Sequence, residues 1–156
     1  MASRIKPVPQ DKSDLAFKRA SIVLAFLGVA DSIYLLVLKA TQWGVMCGGN
    51  HGCITVNNSR YSEIAGIPVS AFGIAGYLAI AGILLLETRL KIAGEQGPLA
   101  VFGMSLGGAA FSAYLTYLEF YVIHAVCPFC ITSAIIITFI FILAIIRLVK
   151  QIATSQ

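Results

Sequence analysis

The chain has 156 residues, of which 58% are hydrophobic and only 12% charged, with a formal net charge of +4. Soluble domains carry roughly twice that share of charged residues, so composition excludes an ordinary soluble globular protein and points to a membrane-embedded one. In that class a modest positive charge reports topology and does not indicate nucleic-acid binding.

The N-terminal segment, residues 1–14, is polar, contains Pro7 and Pro9, and reads as disordered. Four stretches then reach the roughly 20 apolar residues that a bilayer crossing needs. They are Ala20 to Leu38, Ile67 to Leu86, Leu99 to Leu118 (continuing toward His124), and Phe129 to Ile146. Only the first holds a charge, Asp31. Backbone groups in lipid must be satisfied internally, so each span is expected to be a helix. The first span is too long for a signal peptide and lacks a small-residue cleavage site. The expected fold is an all-α membrane protein of one domain, residues 1–156, built as a four-transmembrane-helix bundle.

A long outer loop, Ala40 to Gly66, joins the first two spans. Within it "NSRYSEIAG" reads as a short amphipathic helix at the interface, with Ser59 as its cap and Gly66 as its end. Pro68 then suits the first turn of the second span. In the third span Gly103 and Gly107 form a G-x-x-x-G step, expected to let a neighbouring backbone approach. Nine of the eleven Lys and Arg residues lie at the termini or between the second and third spans, and only Lys39 and Arg60 lie on the opposite side. This asymmetry sets both termini in the cytoplasm. All four cysteines, Cys47, Cys53, Cys127 and Cys130, then fall on the outer face, where disulfides persist in bacteria.

The cysteines form two close pairs. In "CPFC", Pro128 suits the first position of a helix, which makes Cys127 its cap and puts Cys130 in its first turn. Unpaired amides and the helix dipole favour an anion there, so a reactive thiolate is expected, with Cys130 the residue in the first turn. The other pair, "CGGNHGC", lies in a glycine-rich loop. A disulfide across so short a loop constrains little chain and is better suited to exchange. Two pairs on one face therefore look like a relay that moves oxidation by thiolate attack on a disulfide. A lipid-soluble quinone is the natural electron sink at the mouth of a membrane bundle. Phe111, Tyr114 and Tyr117, with Tyr121, recur at near-helical spacing. They either line a pocket for a flat ring or belong to packing and an interfacial belt. Asp31 and Glu119 are candidate proton carriers or structural hydrogen-bonding groups. His51 and His124 lie near the two pairs in sequence and either could favour a thiolate.

Cys47 and Cys53, "NSRY" at Asn58 to Tyr61, "GIPVSAFG" at Gly66 to Gly73 and "CPFC" at Cys127 to Cys130 together resemble the vitamin K epoxide reductase family in its bacterial, quinone-linked form. The resemblance covers the chain from the first span to the fourth. It implies a four-helix bundle around a quinone (ubiquinone or menaquinone, with a vitamin K type possible). It further implies that Cys47 meets a thioredoxin-fold, DsbA-like partner, that Cys53 exchanges with Cys127, and that Cys130 faces the quinone with Ser59 close by. Two positions depart from the vertebrate pattern. Val69 stands where an Asn contacts the vitamin K ring, and Ala134 where a Tyr does, which favours plain quinone reduction over epoxide reduction. No fused thioredoxin domain follows the fourth span, so the partner is expected in trans, with the protein in a prokaryotic plasma membrane.

The DsbB family shares the four helices, the four cysteines and the quinone, but its C-x-x-C lies in the first outer loop, whereas here it opens the fourth helix. A metal site would need to use the five-residue gap between Cys47 and Cys53, which is atypical of zinc loops, and no metal is expected. A purely structural membrane protein with two disulfides is the remaining alternative.

Overall fold

A computed structural model describes residues 12–41, 52–89 and 91–155 of the chain. In chain order the elements are α1 (Lys12–Thr41), α2 (Gly52–Asn57), a 3-10 turn (Arg60–Ser62), β1 (Glu63–Ile64), β2 (Ile67–Pro68), α3 (Val69–Arg89), α4 (Lys91–Leu118), a π-helical turn (Glu119–Ile123) and α5 (Pro128–Ser155). The helices α1, α3, α4 and α5 are each long and apolar enough to cross a membrane. The protein is a multi-pass, all-α membrane bundle. The unbroken apolar runs explain the helices, because a spanning segment has no partner but itself for its backbone.

The helices extend beyond the apolar runs. Lys12 to Asp14, expected in the disordered N-terminal segment, form the first turn of α1, and Asp14 is buried. The four spanning helices form a ring in which α1 packs on α3, α3 on α4, α4 on α5 and α5 on α1. Inside the ring lie Tyr77, Ile80, Leu84, Val101, Ile137 and Ile140. Large apolar side chains such as Phe26, Leu78, Leu106 and Phe139 face outward, toward lipid.

Among the described residues the Gly103–Gly107 step makes no close packing contact. A methyl group at either position would meet nothing within 4 Å. The close approach of α4 to α5 is made by the next residue, Gly108, where a Cβ would lie 2.9 Å from Ile137 Cγ1.

One end of the bundle is joined by buried charge. Arg147 of α5 donates to Asp14 Oδ1 of α1 at 2.8 Å and to Glu87 Oε2 of α3 at 2.9 Å. Lys18 of α1 reaches the same Glu87 oxygen at 3.2 Å. The helix α4 closes the cluster through Gly97, where an added Cβ would run into the Glu87 carboxylate.

The other end carries the cap formed by α2, the 3-10 turn and a two-residue hairpin. "NSRYSEIAG" is therefore not one helix. Ala65 and Gly66 both have positive φ, 54° and 81°, which makes the tight turn between β1 and β2 the kind that matches strand twist. Ser59 precedes the 3-10 turn, but its hydroxyl donates to the Val56 carbonyl at 2.7 Å and not to the turn it precedes. Pro68 ends β2, one residue before α3. Lys39, at the end of α1, ties the cap down. Its ammonium donates to Ser62 Oγ at 2.7 Å and to the Asn57 carbonyl at 3.1 Å, and pairs with Glu63 at 2.9 Å.

Candidate functional site

The helix α5 begins at Pro128, whose missing amide and fixed φ suit that position. Cys127 is the residue before it, and its carbonyl already accepts the Ile131 amide at 3.1 Å. Its sulfur acts as the cap, accepting the Cys130 amide at 3.3 Å and the Cys130 thiol at 2.7 Å. Both cysteines are free. The hydrogen bond from the Cys130 thiol holds the Cys127 thiol below the ordinary cysteine range, against the opposing effects of burial and of the nearby Glu119 charge. The thiolate expected in the first turn is thus favoured on Cys127, and Cys130 is the donor that stabilises it.

Glu119 completes this cluster. It is 2% exposed and opens the π-helical turn that ends α4. The chain then reverses at His124, which adopts a left-handed conformation with φ of 54°. The amides of His124 and Ala125 both donate to the Glu119 carbonyl. This reversal brings the Glu119 side chain back to the start of α5, where Oε2 accepts the Cys127 amide at 3.1 Å. The same carboxylate lies within electrostatic reach of the Cys130 thiol, whose hydrogen is directed to the Cys127 sulfur. The sequence offers Glu119 as a candidate proton carrier or structural hydrogen-bonding group, but does not place it beside the cysteine pair. That placement depends on the extra residue of the π turn, which carries no simple signal.

The loop side of the site is Cys53, in α2. It is disulfide-bonded, and its side chain packs with Cys127 in one buried cluster with Leu35 and Leu38, both sulfurs' residues being 0% exposed. Gly52 makes the approach possible, because a methyl group there would run into the Val126 carbonyl. Cys47 and His51 lie outside the described residues.

Beside the thiols is a cavity of about 200 Å³ between α1, α3, α4, α5 and the cap. Cys130, Glu119, Ser59 and Phe111 line it, as does Val69. Its wall is mostly apolar, with a few hydroxyl groups. Ser70 is among them, and its Oγ is buried without a hydrogen-bond partner. A buried hydroxyl left unpaired is costly, so it marks a place where a polar ligand atom would be welcome. Sequence reading quoted Ser70 within "GIPVSAFG" and assigned it no role. Tyr77 and Ser133 form a second polar point of the wall, with the Tyr77 hydroxyl donating to the Ser133 carbonyl at 2.9 Å. Asp31 lies close to the Ser133 hydroxyl, and its Oδ2 is buried and unpartnered.

The aromatic stripe divides. Phe111 lines the cavity, but Tyr114 and Tyr117 are 52% and 55% exposed on the outer face of α4 and do not reach it. Tyr117 instead stacks on Tyr121 with centroids 4.9 Å apart, as an interfacial belt would. The phase explains this, because successive residues on a helix turn by about 100° and only one face of α4 looks inward. The His124 side chain is exposed and serves the site through its backbone alone. Ala134 does not line the cavity.

The free thiol pair at a helix start, the disulfide-bonded Cys53 packed behind it and the cavity in front of it lie together in the membrane bundle. The family model for the vitamin K epoxide reductase family matches residues 19–145, a range that takes in α1 from its second turn, the cap, the cavity and Cys127 and Cys130. The chain belongs to the vitamin K epoxide reductase family and is a membrane thiol oxidoreductase.

Proposed function

We propose that the protein takes two electrons from a reduced thioredoxin-fold partner and passes them through its two cysteine pairs to a membrane quinone, so that the partner's dithiol becomes a disulfide. The observation that carries this reading is the free Cys127–Cys130 pair, which has the disulfide-bonded Cys53 packed behind Cys127 and the apolar cavity in front of Cys130. In this reading Cys47 meets the partner, Cys53 exchanges with Cys127, and Cys130 faces the quinone. The disulfide at Cys53 also removes it as a ligand for a metal in this state.

The cavity suits a quinone ring. Phe111 and the apolar wall offer flat contact, and the unpaired Ser70 hydroxyl offers a donor to a ring oxygen. Ser59 lines the same wall, although its hydroxyl is engaged by Val56. When bound, a quinone such as ubiquinone or menaquinone supplies a two-electron oxidant that consumes two protons. Val69, at the cavity wall in place of an amide side chain, gives an epoxide oxygen no partner, which favours plain quinone reduction.

The basic residues orient the site outward. Lys18 and Arg147 belong to the nine on the cytoplasmic side, and both sit at the end of the bundle opposite the thiols. A membrane-impermeant maleimide added to intact, reduced cells should therefore label Cys47, and labelling only after lysis would reverse the topology. The function itself is tested with purified protein, a reduced thioredoxin-fold protein and a short-chain ubiquinone. Steady quinone-dependent oxidation of the partner is expected. Cys130→Ala should exchange once through the loop pair and then stop, and sustained turnover without Cys130 would overturn the assignment.

A further inference from the structure

The thiol cluster contains an acid with no cation beside it. Among the described residues no Lys, Arg or His pairs with Glu119. Burying a carboxylate without a counter-ion is expensive, so a stable protein holds one where its change of charge is useful. Its neighbours say what that use is. The carboxylate is fixed by the Cys127 amide at 3.1 Å, three residues from Cys130, and lines the same cavity as the Cys130 thiol, close enough to interact with it electrostatically. Meanwhile the Cys130 hydrogen points at the Cys127 sulfur, which favours the thiolate on the wrong cysteine for a reaction at the cavity.

We propose that Glu119 is the catalytic base that takes the Cys130 thiol proton as the Cys127–Cys130 disulfide closes, and that it releases this proton toward the cavity. The inference rests on the proposed quinone-linked function. The step balances as follows. The Cys130 S–H bond breaks and its proton goes to the Glu119 carboxylate. The Cys127–Cys130 S–S bond forms, and two electrons leave to the oxidant, a quinone. Quinol formation consumes two protons. One is the Cys130 proton delivered through Glu119, and the other comes from water, to which the Cys127 proton was released when its thiolate formed. Passing the proton between neighbouring groups avoids separating charge inside a low-dielectric site.

Glu119→Gln tests this, because glutamine keeps an oxygen for the Cys127 amide but cannot accept the proton. Two rates are read on the detergent-purified, reduced protein. The first is alkylation of Cys127 by iodoacetamide with no oxidant present. The second is closure of the disulfide in a single turnover, with a short-chain ubiquinone and separately with diamide. The expected result is closure slowed by about 100-fold, the usual worth of a general base, with alkylation unchanged or faster because a negative charge near Cys127 has gone. Closure at the wild-type rate would overturn the proposal. Closure and alkylation slowed together would also overturn it, since that is what a merely structural residue would do. Glu119→Asp, which keeps a carboxyl, should recover part of the closure rate, and no recovery in a folded Asp variant would count against the base. The diamide arm separates the two readings. If the wild type closes with diamide but with no quinone, the proposed function fails while the role of Glu119 is still measured.

Discussion

The two ends of the bundle bury acids in opposite ways. At one end Asp14 and Glu87 meet Arg147 and Lys18, and the charges balance in a cluster that touches all four spanning helices. At the other end Glu119 meets an amide and a thiol. About 28 Å separates Pro128 from Arg147 along α5, at 1.5 Å per residue, which is close to the thickness of the hydrocarbon core. An acid held by buried cations cannot change its protonation without breaking several contacts, so the first end serves architecture. An acid held only by hydrogen bonds can change its charge and keep its place, so the second end is fit for chemistry.

The sharpest way to break this comparison is at the paired end. Arg147→Met removes the cation of Asp14 and one of the two cations on Glu87, and should destabilise the protein by about 3–5 kcal/mol, the usual cost of breaking a buried pair. Thermal unfolding in detergent measures it, and the fraction that remains folded should still close its thiol pair at the wild-type rate. Loss of closure in folded Arg147→Met would join the two ends functionally. A smaller effect is expected at Gly52. The variant Gly52→Ala drives a methyl group into the Val126 carbonyl and should cost about 1–3 kcal/mol, as overpacking does. More tellingly, it should slow disulfide exchange between Cys53 and Cys127 several-fold. Exchange at the wild-type rate would show that the loop reaches Cys127 in another way.

The pH dependence of the thiols gives a third test. The Cys127 pKa is lowered by the Cys130 hydrogen bond, so alkylation of Cys127 should reach half its maximum below the ordinary thiol value of about 8.5. For an acid whose folded pKa is depressed, the linked stability is present above that unfolded value and is lost as pH falls through the folded one. Cys130→Ala removes the donor and should move the alkylation curve to higher pH, and an unmoved curve would mean that the helix dipole alone sets the thiolate. The smallest effect belongs to Glu63, whose pair with Lys39 is half exposed. Glu63→Gln should cost less than about 1 kcal/mol, because Lys39 keeps its bonds to Ser62 and Asn57. A larger loss of cap order, seen by amide exchange in α2, would make that pair the main fastening of the cap.

Much of this was legible in the sequence, and the reasons differ by residue. The four spans followed from hydropathy, since lipid leaves the backbone no other solution. The start of α5 followed from Pro128, and the capping place of Cys127 followed from it. Contacts between distant parts of the chain were less accessible. Asp14 and Arg147 are 133 residues apart, and nothing local announces that a residue before the apolar run will be buried. The hairpin turn uses Ala65 and Gly66 in place of the Asn-Gly that would have signalled it. Gly103 and Gly107 matched a packing motif, yet the neighbouring Gly108 makes the contact, because the motif fixes spacing and not the face that looks inward. The thiolate was expected on Cys130 from the dipole alone, whereas the side-chain hydrogen bond favours Cys127.

The paired cluster also bears on how the protein is made. Its members arrive in sequence order: Asp14 and Lys18 on the first helix, Glu87 on the second span and Arg147 only on the last. Until α5 enters the membrane, the three earlier residues carry one net negative charge among apolar helices, and Asp14 has no cation. Ribosomal synthesis thus delivers the neutralising residue last, after Cys127 and Cys130 have already been made. A chain that closes the cluster therefore already holds all its redox residues.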